Sequence, residues 1–184
     1  MEMSKIIGRL FGLIRFHLSA IIRRKSIHYL GIKQYLGKGA HLLVSEKGKI
    51  TVGRSLYVSE KSNIGAHLSG ILEIGNNNFF NTNTTVTCLE KITIGNDNLF
   101  AQNVVVVDHN HNYDSLNLPI CRQGYKFKPV TIGSDCWICA NVVICPGATI
   151  GDHIIVAANS VVSGTLEKPG VYAGAPAKLI KKRE

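Results

Sequence analysis

Two histidines stand in one polar stretch, Asp108-His109-Asn110-His111-Asn112-Tyr113-Asp114. Imidazole titrates near neutral pH, so a histidine held beside a hydroxyl can take its proton as the oxygen attacks. The carboxylate of Asp108 or Asp114, or a backbone carbonyl, could orient such a ring, and the sequence does not choose among them. His109 is expected on the other side of an extended backbone from His111. A second candidate is Cys136-Trp137-Ile138-Cys139, which has the C-x-x-C spacing of redox pairs and half-zinc sites. The cysteines (Cys88, Cys121, Cys136, Cys139, Cys145) are odd in number and form no second such pair. With no secretory signal, they are expected to be reduced thiols of a cytoplasmic protein, packed as small residues.

The elements that position these groups are set by a six-residue repeat. Ile132, Ile138, Ile144, Ile150, Val156 and Val162 follow one another at intervals of six. Cys136, Val142, Ala148, Ile154 and Ser160 fall four residues after the first five. Ile74, Phe80 and Val86 share a register, and Ile94, Phe100 and Val106 resume it after a two-residue slip; Ile64-Gly65 and Leu36-Gly37 suggest weaker turns. Period-two alternation cannot produce such a series, which excludes a generic β-sandwich. Three hexads close one triangular coil of short parallel strands, each coil burying its face against the next. About seven coils at about 4.8 Å give a prism on the order of 35 Å long. Gly75-Asn76-Asn77, Gly95-Asn96-Asp97 and Gly151-Asp152 are expected at the corners, where positive φ is cheap. The register breaks once, over residues 108–129, and a loop thrown out of a solenoid is where function concentrates.

The formal charge of +9 is concentrated at one end: residues 1–38 carry eight Lys/Arg against Glu2 alone. No zinc finger and no basic stripe interleaved with aromatics accompanies it, so nucleic acid is not an expected partner. In the same segment Ile6, Ile7, Leu10, Phe11, Leu13, Ile14, Leu18, Ile21 and Ile22 recur at helical spacing, opposite Lys5, Arg9, Arg15 and Arg23, with Phe16, His17 and Arg24 out of place. Arg9, Arg15 and His17 interrupt it too often for a membrane span. Two uses fit: a cap on the open end of the prism, or peripheral contact with anionic lipid through residues 3–25 at the inner face of the membrane. The expected organisation is a helical segment at 1–29 and a solenoid domain at 30–184.

Residues 60–184 resemble the hexapeptide-repeat O-acetyltransferases, among them the galactoside, maltose, O-antigen and capsule enzymes. The resemblance is carried by Val130-Thr131-Ile132-Gly133 through Trp137 to Ile144, by Pro146-Gly147, by Ala157-Ala158-Asn159-Ser160, and by Ala173-Gly174-Ala175-Pro176-Ala177-Lys178. Cys139 departs from the usual Gly. The resemblance implies an all-β fold, a left-handed parallel β-helix, assembled as a homotrimer with sites between neighbouring prisms. It implies acetyl-CoA as donor, a sugar hydroxyl as acceptor, no metal, and a loop histidine as general base. Counting sixteen residues from Gly95, as relatives do, places that base at His111, with His109 second. By the same carry-over Trp137, Ala140, Ala158, Ser163, Lys178 and Lys181 belong to the CoA groove, and Asn81 and Asp108 to the acceptor side.

Other readings stay open at this point. N-acetylation of an amino sugar, or acylation of a small metabolite or antibiotic, needs the same donor groove. A γ-type carbonic anhydrase uses the same prism with three histidines on a metal; His41, His67, His109, His111 and His153 are present, but its close downstream pair of ligands is not. A catalytically silent membrane adaptor on a degenerate solenoid is the remaining alternative.

Overall fold

A computed structural model of the chain describes residues 2–45 and 47–183, with side chains from Ile7 onward. The side-chain placements expected for Lys5 and Ile6 lie outside the described residues. Helix α1 (Glu2–Ile22) precedes a left-handed parallel β-helix of six closed coils and part of a seventh. Face one stacks Ile27–Tyr29, Lys49–Val52, Ile71–Ile74, Lys91–Ile94, Val130–Ile132, Thr149–Ile150 and Thr165–Leu166. Face two stacks Tyr35–Leu36, Tyr57–Val58, Phe79–Phe80, Leu99–Phe100, Trp137–Ile138, Ile154–Val156 and Gly170–Ala173, then adds Lys178–Lys182 antiparallel at its end. Face three stacks His41–Val44, Asn63–Ala66, Thr85–Cys88, Val105–Val107, Val143–Ile144 and Val161–Val162.

The hexad anchors point at the axis. Ile132, Ile138, Ile144, Ile150, Val156 and Val162 are each at most 1% exposed. Burying each contributes about 1.5–3 kcal/mol, so the column is the main source of stability. Phe80 and Phe100 stack within it, ring centroids 4.4 Å apart. The early coils are longer, Ile27 pairing with Ile50 and Lys49 with Ile71, yet Val52, Val58 and Ile64 are fully buried at spacing six, a run of which the sequence suggested only Ile64.

The corners fall where expected, but the part of the glycines in them is corrected. Positive φ falls on Asn77, Asp97 and His153, not on Gly75, Gly95 or Gly151. Those glycines answer a different demand, the approach of successive coils: a Cβ on Gly75 would lie 2.6 Å from the Gly95 carbonyl oxygen. At another corner Asn83, Asn103, Asn141 and Asn159 are all left-handed. Their amides form a ladder along the prism, each Nδ2 donating to the next Oδ1 at 2.9 Å.

Helix α1 does cap the first coil, but not with the expected face. Phe16 and Ala20 are buried with Ile27, Leu36 and Leu42, Gly12 meets the Tyr35 ring, and the Arg15 guanidinium donates to the Leu36 carbonyl at 2.9 Å. Phe16, out of place on the sequence wheel, is therefore the residue that plugs the column. Ile7, Leu10, Phe11, Ile14, Leu18, Ile21 and Ile22 are exposed.

Candidate active site

Residues 108–129 leave the prism where face three ends at Val107 and rejoin it where face one resumes at Val130. The register continues across the excursion: Ile74 pairs with Ile94, and Ile94 with Ile132. The base of the arm is fixed by Asp108. Its carboxylate is fully buried and accepts the Leu89 amide at 2.9 and 3.1 Å and the Glu90 amide at 2.8 Å. The Lys128 amide donates to the Asp108 carbonyl, and the Gly147 amide donates to the Lys128 carbonyl, closing the neck. Burial and the neighbouring Asp108 push the Cys88 thiol far above its ordinary value.

Beyond the neck, His109–His111 pairs antiparallel with Tyr125–Phe127. His109 Nδ1 lies 3.2 Å from Asp108 Oδ1, and its side chain is 18% exposed. The pairing corrects the expected separation of the two histidines. Residues two apart on a strand share a face, and both rings lie against Tyr125, His109 edge-on at 5.7 Å and His111 tilted at 4.6 Å. Asp108 thus stands behind His109, while Asp114 pairs with Lys126 near the tip. Little of the arm is covered by its own prism: Leu116 is completely exposed, and Leu118, Ile120, Tyr125 and Phe127 are exposed as well.

The residues expected in a CoA groove fall elsewhere. Trp137 lies half-exposed on face two. Ala140 and Ala158 occupy equivalent turns after Ile138 and Val156, at the corner between faces two and three, where the Asn159 amide donates to the Ala140 carbonyl. Among the described residues the Ala140 and Ala158 amides donate to no protein acceptor. Lys178 and Lys181 are exposed on the antiparallel strand ending face two. Asn81 follows Phe80 at the corner of faces two and three, its Oδ1 turned back onto the Thr82 amide at 2.8 Å. Ser163 is exposed past the end of face three. In a triangular prism the corner that bears the arm is the one opposite face two. One chain therefore does not bring His109 and His111 to Trp137 and Ala140.

The cysteine pair forms no redox site. Cys136 Sγ points inward to the Gly151 carbonyl at 3.1 Å, and burial pushes its thiol up to about 11. Burial raises Cys139 and Cys145 too. Among the described residues no three His, Cys, Asp or Glu side chains converge on a metal geometry.

One feature of face two was missed by the sequence reading. Tyr35, Tyr57, Phe79, Leu99, Trp137, Ile155 and Val171 are in register as a continuous outward apolar column. The signal was available, since each immediately precedes a buried anchor on every third hexad.

The fold defines a class, the hexapeptide-repeat prism, and comparison with known proteins agrees. Residues 129–164 match the family model "Bacterial transferase hexapeptide (six repeats)". The chain is 33% identical over 146 residues to the "Putative lipopolysaccharide biosynthesis O-acetyl transferase WbbJ" of Escherichia coli, covering 76% of this chain and 74% of that one. It is 32% identical over 179 residues to a "Probable acetyltransferase" of Mycobacterium tuberculosis, covering 96% of this chain and spanning 57% of the relative's length. Among solved structures, an AntD variant, an N-acyltransferase from Bacillus cereus in complex with dTDP-4-amino-4,6-dideoxyglucose and coenzyme A, superposes with a TM-score of 0.74 at 20% identity, over 89% of this chain and 88% of that one. The chain belongs to the hexapeptide-repeat acetyltransferases.

Proposed function

We propose that the protein transfers acetyl from acetyl-CoA to a sugar hydroxyl in surface-polysaccharide synthesis. It does so as a homotrimer at the cytoplasmic face of the membrane, with His109 as general base. The observation that carries this reading is the Asp108–His109 pair, held on a rigid neck at the corner opposite the Trp137 face. Asp108 anchors Nδ1 and leaves Nε2 free to receive a proton. This reverses the order given by counting from Gly95, because that count assumes a fixed path length into the arm, whereas the carboxylate contact depends on where the neck sits.

The arm of one prism then lies against face two of its neighbour, which also covers the exposed apolar side chains around Leu116. Acetyl-CoA bound in that groove supplies the thioester. His109 Nε2 takes the hydroxyl proton as the sugar oxygen bonds to the thioester carbon. The carbonyl oxygen gains the negative charge, and the Ala140 amide, with no protein acceptor of its own, is a pre-placed donor for it. Collapse breaks the carbon–sulfur bond, the thiolate of CoA leaves, and the imidazolium returns its proton to it. Ala158 and Ser163 fit the pantetheine path, and Lys178 and Lys181 the phosphate end. Asn81 fits the acceptor side. His111, tilted against Tyr125 and with no carboxylate partner among the described residues, serves acceptor contact.

The test is thiol release from acetyl-CoA against a panel of sugars and amino sugars, with products identified by mass spectrometry. H109A should lower turnover by about 10²–10⁴, and H111A by much less. Coexpressing H109A with A140W, a chain whose groove is blocked, should restore turnover in mixed oligomers. Mixed oligomers that stay inactive would overturn the shared site, and acetylation confined to amino groups would overturn the hydroxyl acceptor.

A further inference from the structure

The outward face of helix α1 has no role in the mechanism above. Leu10, Phe11, Ile14, Leu18, Ile21 and Ile22 form one exposed stripe, directly opposite the Phe16 and Ala20 face that seals the column. Leu30 and Ile32 of the first coil extend the apolar surface and are also exposed. Monomeric proteins rarely leave so large a contiguous apolar patch open without a partner. The stripe lies on the end of the prism, where it contributes nothing to the coil-on-coil column.

What it meets is decided by charge. Residues 1–45 contain eight Lys and Arg and a single acid, Glu2. Arg24 and Lys25, both exposed, follow the end of the stripe at Ile22, while exposed Arg9 and Lys33 lie toward face two, beside Tyr35 and Tyr57. Two copies docked through this end would bring like charges together, which disfavours self-association. An anionic lipid surface satisfies both parts, taking the apolar stripe below the headgroups and the cations among them. Among the described residues no helix is long and apolar enough to cross a bilayer, so the geometry is that of a helix lying flat.

We infer that the helix end of the prism docks on an anionic membrane surface, with α1 in the interfacial plane and the solenoid standing away from it. This deepens the peripheral location proposed above and rests on it only for the choice of leaflet. Binding is expected to need both terms: the apolar stripe for depth and acidic headgroups for attraction.

The test is flotation of the full chain with vesicles of phosphatidylcholine alone and of equal parts phosphatidylcholine and phosphatidylglycerol. The chain should float with the anionic vesicles, remain below with the neutral ones, and be released by high salt. I14E/L18E should weaken binding by about tenfold or more for each side chain removed from the lipid. Its melting temperature and its turnover on a free sugar should stay unchanged, because Phe16 and the arm are untouched. No flotation with anionic vesicles, or flotation unaltered by I14E/L18E, overturns the inference, and equal flotation with neutral vesicles overturns its headgroup part. A drop in oligomeric state for I14E/L18E, read by light scattering, assigns the stripe to contact between copies and overturns it as well. Loss of sugar turnover in the wild type would bear on the proposed reaction and leave this test standing.

Discussion

Replacing Asp108 with Asn separates what the neck does for the fold from what it does for the chemistry. The wild-type carboxylate is fully buried and accepts two backbone amides, Leu89 and Glu90, while facing His109 Nδ1. The amide of Asn offers one acceptor oxygen and turns two N–H donors toward groups that are themselves donors. A hydrogen bond to a charged acceptor contributes about 1.5–3 kcal/mol, and a buried donor left unpaired costs about 1–3 kcal/mol. With one of the two backbone amides deprived of its acceptor and the other bonded to a neutral oxygen, the expected destabilisation is about 2–4 kcal/mol. For a chain of 184 residues this lowers Tm by about 5–15 °C. D108N should also lose turnover, because the Asn side chain no longer holds the His109 ring as an acceptor. H109A is the control: it leaves the hydrogen bonds from Leu89 and Glu90 to Asp108 intact, so its Tm should stay near wild type while turnover falls. Thermal unfolding followed by circular dichroism, with thiol release measured well below the transition, reads both effects. A D108N chain that melts with the wild type would refute the buried acceptor. One that melts early but turns over normally would refute the positioning of His109.

Three further outcomes test the fold. F16A should destabilise by about 3–5 kcal/mol, because it opens a cavity at the end of the column, while L18S on the open side should change stability by less than about 0.5 kcal/mol; equal effects in denaturant melts would show that the helix is seated the other way round. Iodoacetamide at pH 8 should modify exposed Cys121 first and leave Cys88 and Cys136 intact, since burial raises both thiols and only their ionised forms react. Raising the pH toward 11 should favour unfolding: the folded Cys136 holds its proton to about 11, so the unfolded chain loses protons first and stability falls as pH rises. Early labelling of Cys136 by peptide mass mapping would contradict its inward placement.

Most of the prism was legible in the residues because its core depends on one repeated distance. The anchors from Ile132 to Val162 needed only their spacing, and the broken register located the arm. What escaped the sequence follows from packing that no local pattern encodes. The helix wheel sorted α1 by polarity, but its seating was decided by what fits the open end of a narrow column: one phenylalanine, Phe16, flanked by Gly12 and Ala20. Gly75 and Gly95 look like turn glycines, yet the next coil's backbone dictates them. The two histidines were visible at once, but the preference for His109 came from Asp108, whose orientation is fixed by amides nineteen and eighteen residues earlier in the chain.

The step between paired residues on face one is 20 from Ile71 to Lys91, 38 from Ile92 to Val130 and 18 from Thr131 to Thr149, with the partners equally well matched throughout. The scaffold thus tolerates a detour of about twenty residues without any coil noticing its length. On the proposed mechanism, editing that detour beyond His109 and before Lys128 should change acceptor preference while the stacked aliphatics stay as they are. Grafting an arm from another prism of this kind between those two residues should therefore yield a folded chain with a new choice of sugar.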